Sequence, residues 1–294
     1  MSEQPTGRYY ASKQYLLPAD NVETQRLNTQ HNMIINAFGS KLSMAPTNLT
    51  TGDRVLESAA GSGELIIIHS AMIKRLDSLI GIWALEFFEK NRAEGVTLDI
   101  ECIDISSAQF PSTHPPEIHF SVNSIVNLPN PDWTDTFSFA HQRLLVAAMN
   151  NTLWRSAVAE LFRVIKPGGW VELVEIEAQD FSSWSVGPNS TKLASLINAL
   201  YGGKGVIGDL SVYLPVILKE AGFVNVQCDP RRVTIGGEVD ATPHKGTEVK
   251  GGYGVVDTVE EYEALVRGTE VKLKNSKEAY TTFFAILARK PENT

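Results

Sequence analysis

Val55-Leu56-Glu57-Ser58-Ala59-Ala60-Gly61-Ser62-Gly63 is the stretch whose reading decides the fold. An apolar pair leads into an acid, then small residues, then two glycines. A first parallel strand ending at a tight turn into the first helix of an open α/β sheet has this form. Residues without bulk let the backbone approach a ligand there, and free N–H groups at a helix start favour an anionic group. Outward from it, period-two patterning predicts strands at Arg54–Ser58, Thr97–Ile105, Glu117–Val122, Thr136–His141, Trp170–Ile176, Phe223–Cys228 and Tyr280–Ala288. Helical spacing predicts Asn21–Leu42, Asn151–Ile165, Val212–Ala221 and Val259–Leu273, with Pro167-Gly168-Gly169 as a stop between the second of these and strand five. Strands alternating with helices predict an α/β fold, a doubly wound, mostly parallel seven-stranded sheet, carrying an N-terminal helical cap. Residues 1–52 read as lead-in and cap, and 53–294 as one domain.

The chain has 294 residues, 43% of them hydrophobic and 20% charged, as in ordinary globular proteins. A net charge of −8 argues against a nucleic-acid footprint. The polar start, Met1 to Gly7, has no signal-peptide core, and Leu65–Ile80 is broken by Lys74, Arg75 and Asp77, so no membrane span is expected. Cys102 and Cys228 sit in strand-like runs and read as buried thiols of a reducing, cytoplasmic compartment. Either a monomer or a homodimer is compatible with the sequence.

Doubly wound sheets bind ligands outside the carboxyl ends of their strands. After strand two, Asp104 can accept hydrogen bonds from both hydroxyls of a ribose, while Ile105 lies against a base. After strand three, Asn123-Ser124-Ile125 offers the edge and face of an adenine a partner. After strand four, His141-Gln142-Arg143 places polar groups where a substrate meets a cofactor, His141 as a candidate base and Arg143 as a group that lowers an acceptor's pKa. Glu172, Glu175 and Glu177 read as sharing one face of strand five, and His31 as covering the cofactor or packing. His114 and His119 flank Pro115-Pro116-Glu117 without a metal-ligand cluster, so no metal is expected. The dinucleotide pattern Gly-x-Gly-x-x-Gly and the Gly-Lys-Ser/Thr of a phosphate loop are both missing. A nucleoside carrying an amino acid, S-adenosylmethionine (SAM), fits better.

The string resembles the class I SAM-dependent methyltransferases, and within them the fungal secondary-metabolite branch of gliotoxin-type thiol methyltransferases and LaeA-like regulators. Tyr15-Leu16-Leu17-Pro18-Ala19-Asp20, the glycine turn, Gly81-Ile82-Trp83-Ala84-Leu85-Glu86 and Asp104-Ile105-Ser106 carry the resemblance in the first half. Phe139-Ala140-His141-Gln142-Arg143, Leu161-Phe162-Arg163-Val164-Ile165-Lys166-Pro167-Gly168-Gly169-Trp170 and Ala221-Gly222-Phe223 carry it in the second. The resemblance implies that Glu57, Ala59, Gly61 and Gly63 line the methionine half of SAM. It likewise implies Asp104 and Ile105 at ribose and adenine, Ser124 and Ile125 at the adenine edge, and His141 and Arg143 at the mouth beside the methyl group. The implied acceptor is a small molecule methylated on O, S or N, with 182–215 and 236–275 as lid additions; a catalytically impaired or regulatory relative is the alternative. Two departures stand out. Ala59 replaces a glycine, and Glu64–Gly81 reads as an insertion, either a buried or dimer-forming helix or retained intron sequence.

Overall fold

The computed structural model describes residues 30–58, 82–107, 110–177, 187–234, 252–274, 276 and 278–292. The glycine turn with Ala59, Gly61 and Gly63, the Glu64–Gly81 segment, the start of the first helix and much of the 236–275 addition lie outside the described residues.

Seven strands form one sheet: β1 (Arg54–Ser58), β2 (Asp99–Asp104), β3 (Ile118–Val122), β4 (Phe137–Arg143), β5 (Ile165–Ile176), β6 (Val224–Thr234) and β7 (Tyr280–Arg289). Their spatial order is β3-β2-β1-β4-β5-β7-β6. The pairs among β1 to β5 are parallel, and β7 runs antiparallel to both β5 and β6. The chain steps outward from β1 to β3, then returns to place β4 on the other side of β1. Strand order therefore reverses between β1 and β4, where this architecture opens a crevice for ligands.

Each sheet face is covered because its side chains alternate. Val55, Ile100, Cys102 and Phe139 point to one face, where Trp83, Phe87 and Phe88 of α2 (Ile82–Ala93) bury against them. Leu56, Ile103, Ala140, Val171 and Leu173 point to the other, beneath α3 (Asn151–Val164) and α5 (Leu210–Glu220). The Asn150 side chain caps α3 by accepting from the Leu153 amide at 3.0 Å, an arrangement worth about 1 kcal/mol. The described part of the first helix, α1 (30–37), stops short of Leu42 because Gly39 turns left-handed at φ +68°.

Three further differences from expectation have physical causes. Pro167-Gly168-Gly169 does not separate helix from strand: β5 begins at Ile165 and carries these residues as a bulge. There Gly168 takes φ +80°, and a side chain on Gly169 would strike the Ser138 carbonyl at 2.8 Å. Strand β6 extends past Cys228 to Thr234 because it is an edge strand, where Pro230 needs no ladder partner. The same edge position leaves Cys228 exposed, while Cys102 is buried as expected. Finally, α4 (Pro188–Lys204) was not anticipated; it packs against α6 (Val259–Lys274), so parts of the two additions meet. None of the described helices is long and apolar enough to cross a membrane.

Candidate active site

The register aligns Cys102, Glu57, His141 and Glu172 across β2, β1, β4 and β5 on the α2 side of the sheet. All four are buried. Glu57 Oε2 lies 2.6 Å from His141 Nδ1, and the imidazole stacks on Trp83 with centroids 3.8 Å apart and planes 7° from parallel. Trp83 is itself fixed, donating from Nε1 to the Leu42 carbonyl at 2.7 Å. Burial pushes the Glu57 carboxyl up to about 8, against the pull of Arg143 and His31. Burial also pushes His141 down to about 3. Near pH 7 the pair is therefore uncharged, with Glu57 donating its proton to Nδ1, which spares the interior two desolvated ions.

His141 was expected beyond strand four, at the mouth. Strand β4 runs on to Arg143, so His141 is inside it, 1% exposed, with its ring face covered by Trp83. A histidine so placed resists taking a proton near neutrality. Arg143, at the strand end, lies within hydrogen-bond distance of His31, donating from Nη1 to Nδ1 at 2.9 Å. His31 Nε2 then donates to Glu86 Oε2 at 3.0 Å. Burial lowers the His31 pKa, and the hydrogen bond from His31 lowers that of Glu86. The relay binds helix α1 to α2 and to the end of β4.

Strand five does not present its acids on one face. Glu172 points to the α2 side, where Oε2 accepts from Ser43 Oγ at 2.7 Å and from the Met44 and Ala45 amides at 2.9 and 3.0 Å. Three residues on, Glu175 points the other way and accepts from the Leu145 and Val146 amides at 2.8 and 3.1 Å. Burial pushes Glu175 up to about 8, against those two amides. Glu177 lies beyond the strand and accepts from the Ser211 amide at 3.2 Å. Glu172 is thus the anchor of the N-terminal arm, a role that the sequence reading missed.

At the carboxyl ends of β2 and β3, the candidate nucleoside residues come together. Asp104 closes β2, and its Oδ1 accepts from the Ser106 amide at 3.0 Å. The Asn123 amide donates to the Asp104 carbonyl at 2.9 Å, which brings Ser124 and Ile125 beside it. Ser124 holds its loop in a bridge with Asn127, and Ile125 is buried. Ile105 is 40% exposed, unusual for a large apolar side chain at the edge of a packed sheet. A carboxylate with an uncovered apolar neighbour, one register step past the end of β1, fits a ribose and its base.

No protein-family model matches the chain. It is 24% identical over 250 residues to methyltransferase grgD of a Penicillium species, covering 85% of this chain and 78% of that protein. It is 33% identical over 163 residues to N-methyltransferase sirN of Leptosphaeria maculans, covering 55% and 49%. With N-methyltransferase gliN of Aspergillus fumigatus it shares 30% over 163 residues, covering 55% and 50%. The match thus spans about half the length of sirN and of gliN. Sheet order and relatives together define a class I SAM-dependent methyltransferase. The relatives that it matches in this way are fungal methyltransferases.

Proposed function

We propose that this chain transfers a methyl group from SAM to a nitrogen of a small secondary metabolite. The observation that carries the reading is the meeting of Asp104, exposed Ile105 and the 123–125 loop beside the point where strand order reverses. The nitrogen acceptor is the finer part of the proposal, supported by relatives named as N-methyltransferases. SAM supplies the methyl group on a sulfonium. Asp104 would hold its ribose, Ile105, Ser124 and Ile125 would seat its adenine, and the Ala59–Gly63 stretch would receive its methionine half. So held, it would offer its methyl carbon in line to an acceptor amine, whose N–C bond would form as the S–C bond breaks, the ammonium proton passing to water.

That chemistry asks for positioning more than for a base. The uncharged Glu57–His141 pair suits a positioning role, since it locks the end of β1 to β4 just before the glycine turn. Arg143 holds the cap through His31 at the rim. The setting proposed is cytoplasmic, with a small-molecule acceptor, no nucleic acid or membrane partner, and a monomer or homodimer. The regulatory alternative rests on Ala59 and the Glu64–Gly81 segment.

Titration calorimetry with SAM tests the reading. The wild type should bind. Asp104→Ala should lose about a hundredfold or more in affinity, from two charge-assisted hydrogen bonds, with its circular dichroism unchanged. Unaltered affinity in that variant refutes the ribose assignment, and SAM binding without turnover on any amine acceptor favours the regulatory alternative.

A further inference from the structure

Arg143 closes β4 on the same side of the sheet as His141, at the carboxyl edge where strand order reverses. Among the described residues, every other arginine faces a carboxylate, from Arg54 on Asp99 to Arg289 on Glu292, except Arg232, which lies over the Tyr280 ring. Half-buried Arg143 has neither partner. Its one hydrogen bond runs from Nη1 to Nδ1 of His31, a neutral acceptor. The acids of the site are committed elsewhere. Glu57 is held by His141 and Glu86 by His31, while Glu172 gives Oε2 to the 43–45 arm and keeps an Oε1 that no donor reaches. The Nε and Nη2 groups of Arg143 have no partner and are not enclosed by protein, so they face open space. In a chain of net charge −8, a cation left without a counter-charge is the exception.

A guanidinium is a rigid planar fork of N–H donors, and its Nε–Nη2 edge matches the two oxygens of a carboxylate. Here His31 takes the Nη1 prong and is itself tied to Glu86, which fixes the plane of the fork and leaves that edge free. Such an arrangement is costly without an anion and ready for one. Its place selects the acceptor. Asp104 and Arg143 stand on β2 and β4, the strands on either side of β1. A nucleoside held by Asp104 therefore leaves Arg143 to the molecule that approaches from the β4 side. We propose that Arg143 recognises a carboxylate on the acceptor, so that the substrate class is a small amine that also carries a free carboxylate, an amino acid or a short peptide. This specificity deepens the reading above and rests on it.

The test uses matched probes: phenylalanine, tryptophan, leucine and alanyl-phenylalanine, each as the free acid and as the carboxamide. Binding is measured by calorimetry on the full chain saturated with S-adenosylhomocysteine, as wild type, Arg143→Met and Arg143→Lys. At least one free acid should bind the wild-type complex about tenfold or more tighter than its carboxamide. That preference should vanish in Arg143→Met and survive in part in Arg143→Lys, whose ammonium carries the charge without the fork. Because the preference is a ratio within one protein, a variant that folds less completely does not alter it. Affinity for S-adenosylhomocysteine itself should be the same in wild type and Arg143→Met. A loss there of about tenfold or more gives the arginine to the cofactor and overturns the proposal. So does a set of probes in which no free acid outbinds its carboxamide, or a preference undiminished in Arg143→Met. Each of these results leaves the methyltransferase reading standing, since the wild type still binds S-adenosylhomocysteine. A wild type that does not bind it overturns that reading and the acceptor assignment together.

Discussion

Replacing Glu172 by leucine removes an anchor while keeping its approximate volume. The carboxylate oxygen Oε2 accepts from Ser43 Oγ, Met44 N and Ala45 N at 2.7, 2.9 and 3.0 Å. Leucine accepts nothing. Each bond lost costs about 1 kcal/mol, and more where the stranded donor stays dry. Ala45 is buried, whereas Ser43 and Met44 are half-buried and can recruit water. The gross loss is therefore roughly 3–4 kcal/mol, and about 1 kcal/mol returns because Oε1, orphaned in the wild type, disappears as well. A net cost of about 2–3 kcal/mol corresponds to a melting point lower by about 4 °C in a chain of this size. Thermal unfolding measures the total, and amide hydrogen exchange localises it. The Met44 and Ala45 amides should exchange slowly in the wild type and fast in Glu172→Leu, with amides of β1 and β4 still protected. Unchanged exchange at those two amides, with an unchanged melting point, would refute the anchor.

The buried acids set a pH dependence. Glu57 and Glu175 are both pushed up to about 8, so between their unfolded values and pH 8 the native chain holds two protons that the unfolded chain has released. Stability from these groups is full at low pH and is lost as pH rises through 8. His141, pushed down to about 3, acts in the opposite sense and only below about 6.5, where its unfolded form takes up a proton. From pH 6.5 to 8 the carboxyls act alone, so the melting point should fall across that window. Glu57→Gln keeps the contact to Nδ1 through an amide N–H and should remove about half the slope; a flat or rising wild-type profile would contradict the assignment. A chain lacking Glu64–Gly81, with Gly63 joined to Ile82, is expected to bind SAM at least as tightly as the full chain by calorimetry. A loss of about tenfold or more would give the segment a role in the site.

Much of the fold was legible because its signals were local. The runs in β2 and β3 alternate cleanly, and α3 announces itself through Leu153, Val158, Leu161, Phe162 and Ile165 at helical intervals. What escaped depended on partners far along the chain. Pro167-Gly168-Gly169 reads as a stop, yet Gly168 and Gly169 exchange backbone hydrogen bonds with Lys290, which holds them in the sheet. Helix α4 was in principle readable from Leu193, Leu196, Ile197 and Leu200 at helical intervals; Gly202 near its end and the flanking Gly187 and Gly205 obscured it. The three glutamates of strand five were mistaken for one face, although a spacing of three in a strand puts Glu172 and Glu175 on opposite sides. At the candidate site, the sequence marks Asp104 and Ile105 as the residues that follow strand two, and their neighbourhood with the 123–125 loop is what the structure adds. The polar pair Glu57–His141 did not, because its partnership needs the register of β1 on β4.

The anchor of the N-terminal arm has a consequence for biosynthesis. Met44 leaves the ribosome 128 residues before the glutamate that clamps it. The 43–45 segment thus finds its seat only once β5 is made, and a nascent chain stalled before Glu172 leaves the Met44 and Ala45 amides without their acceptor. Truncated products of this polypeptide should consequently engage holdase chaperones until strand β5 has emerged.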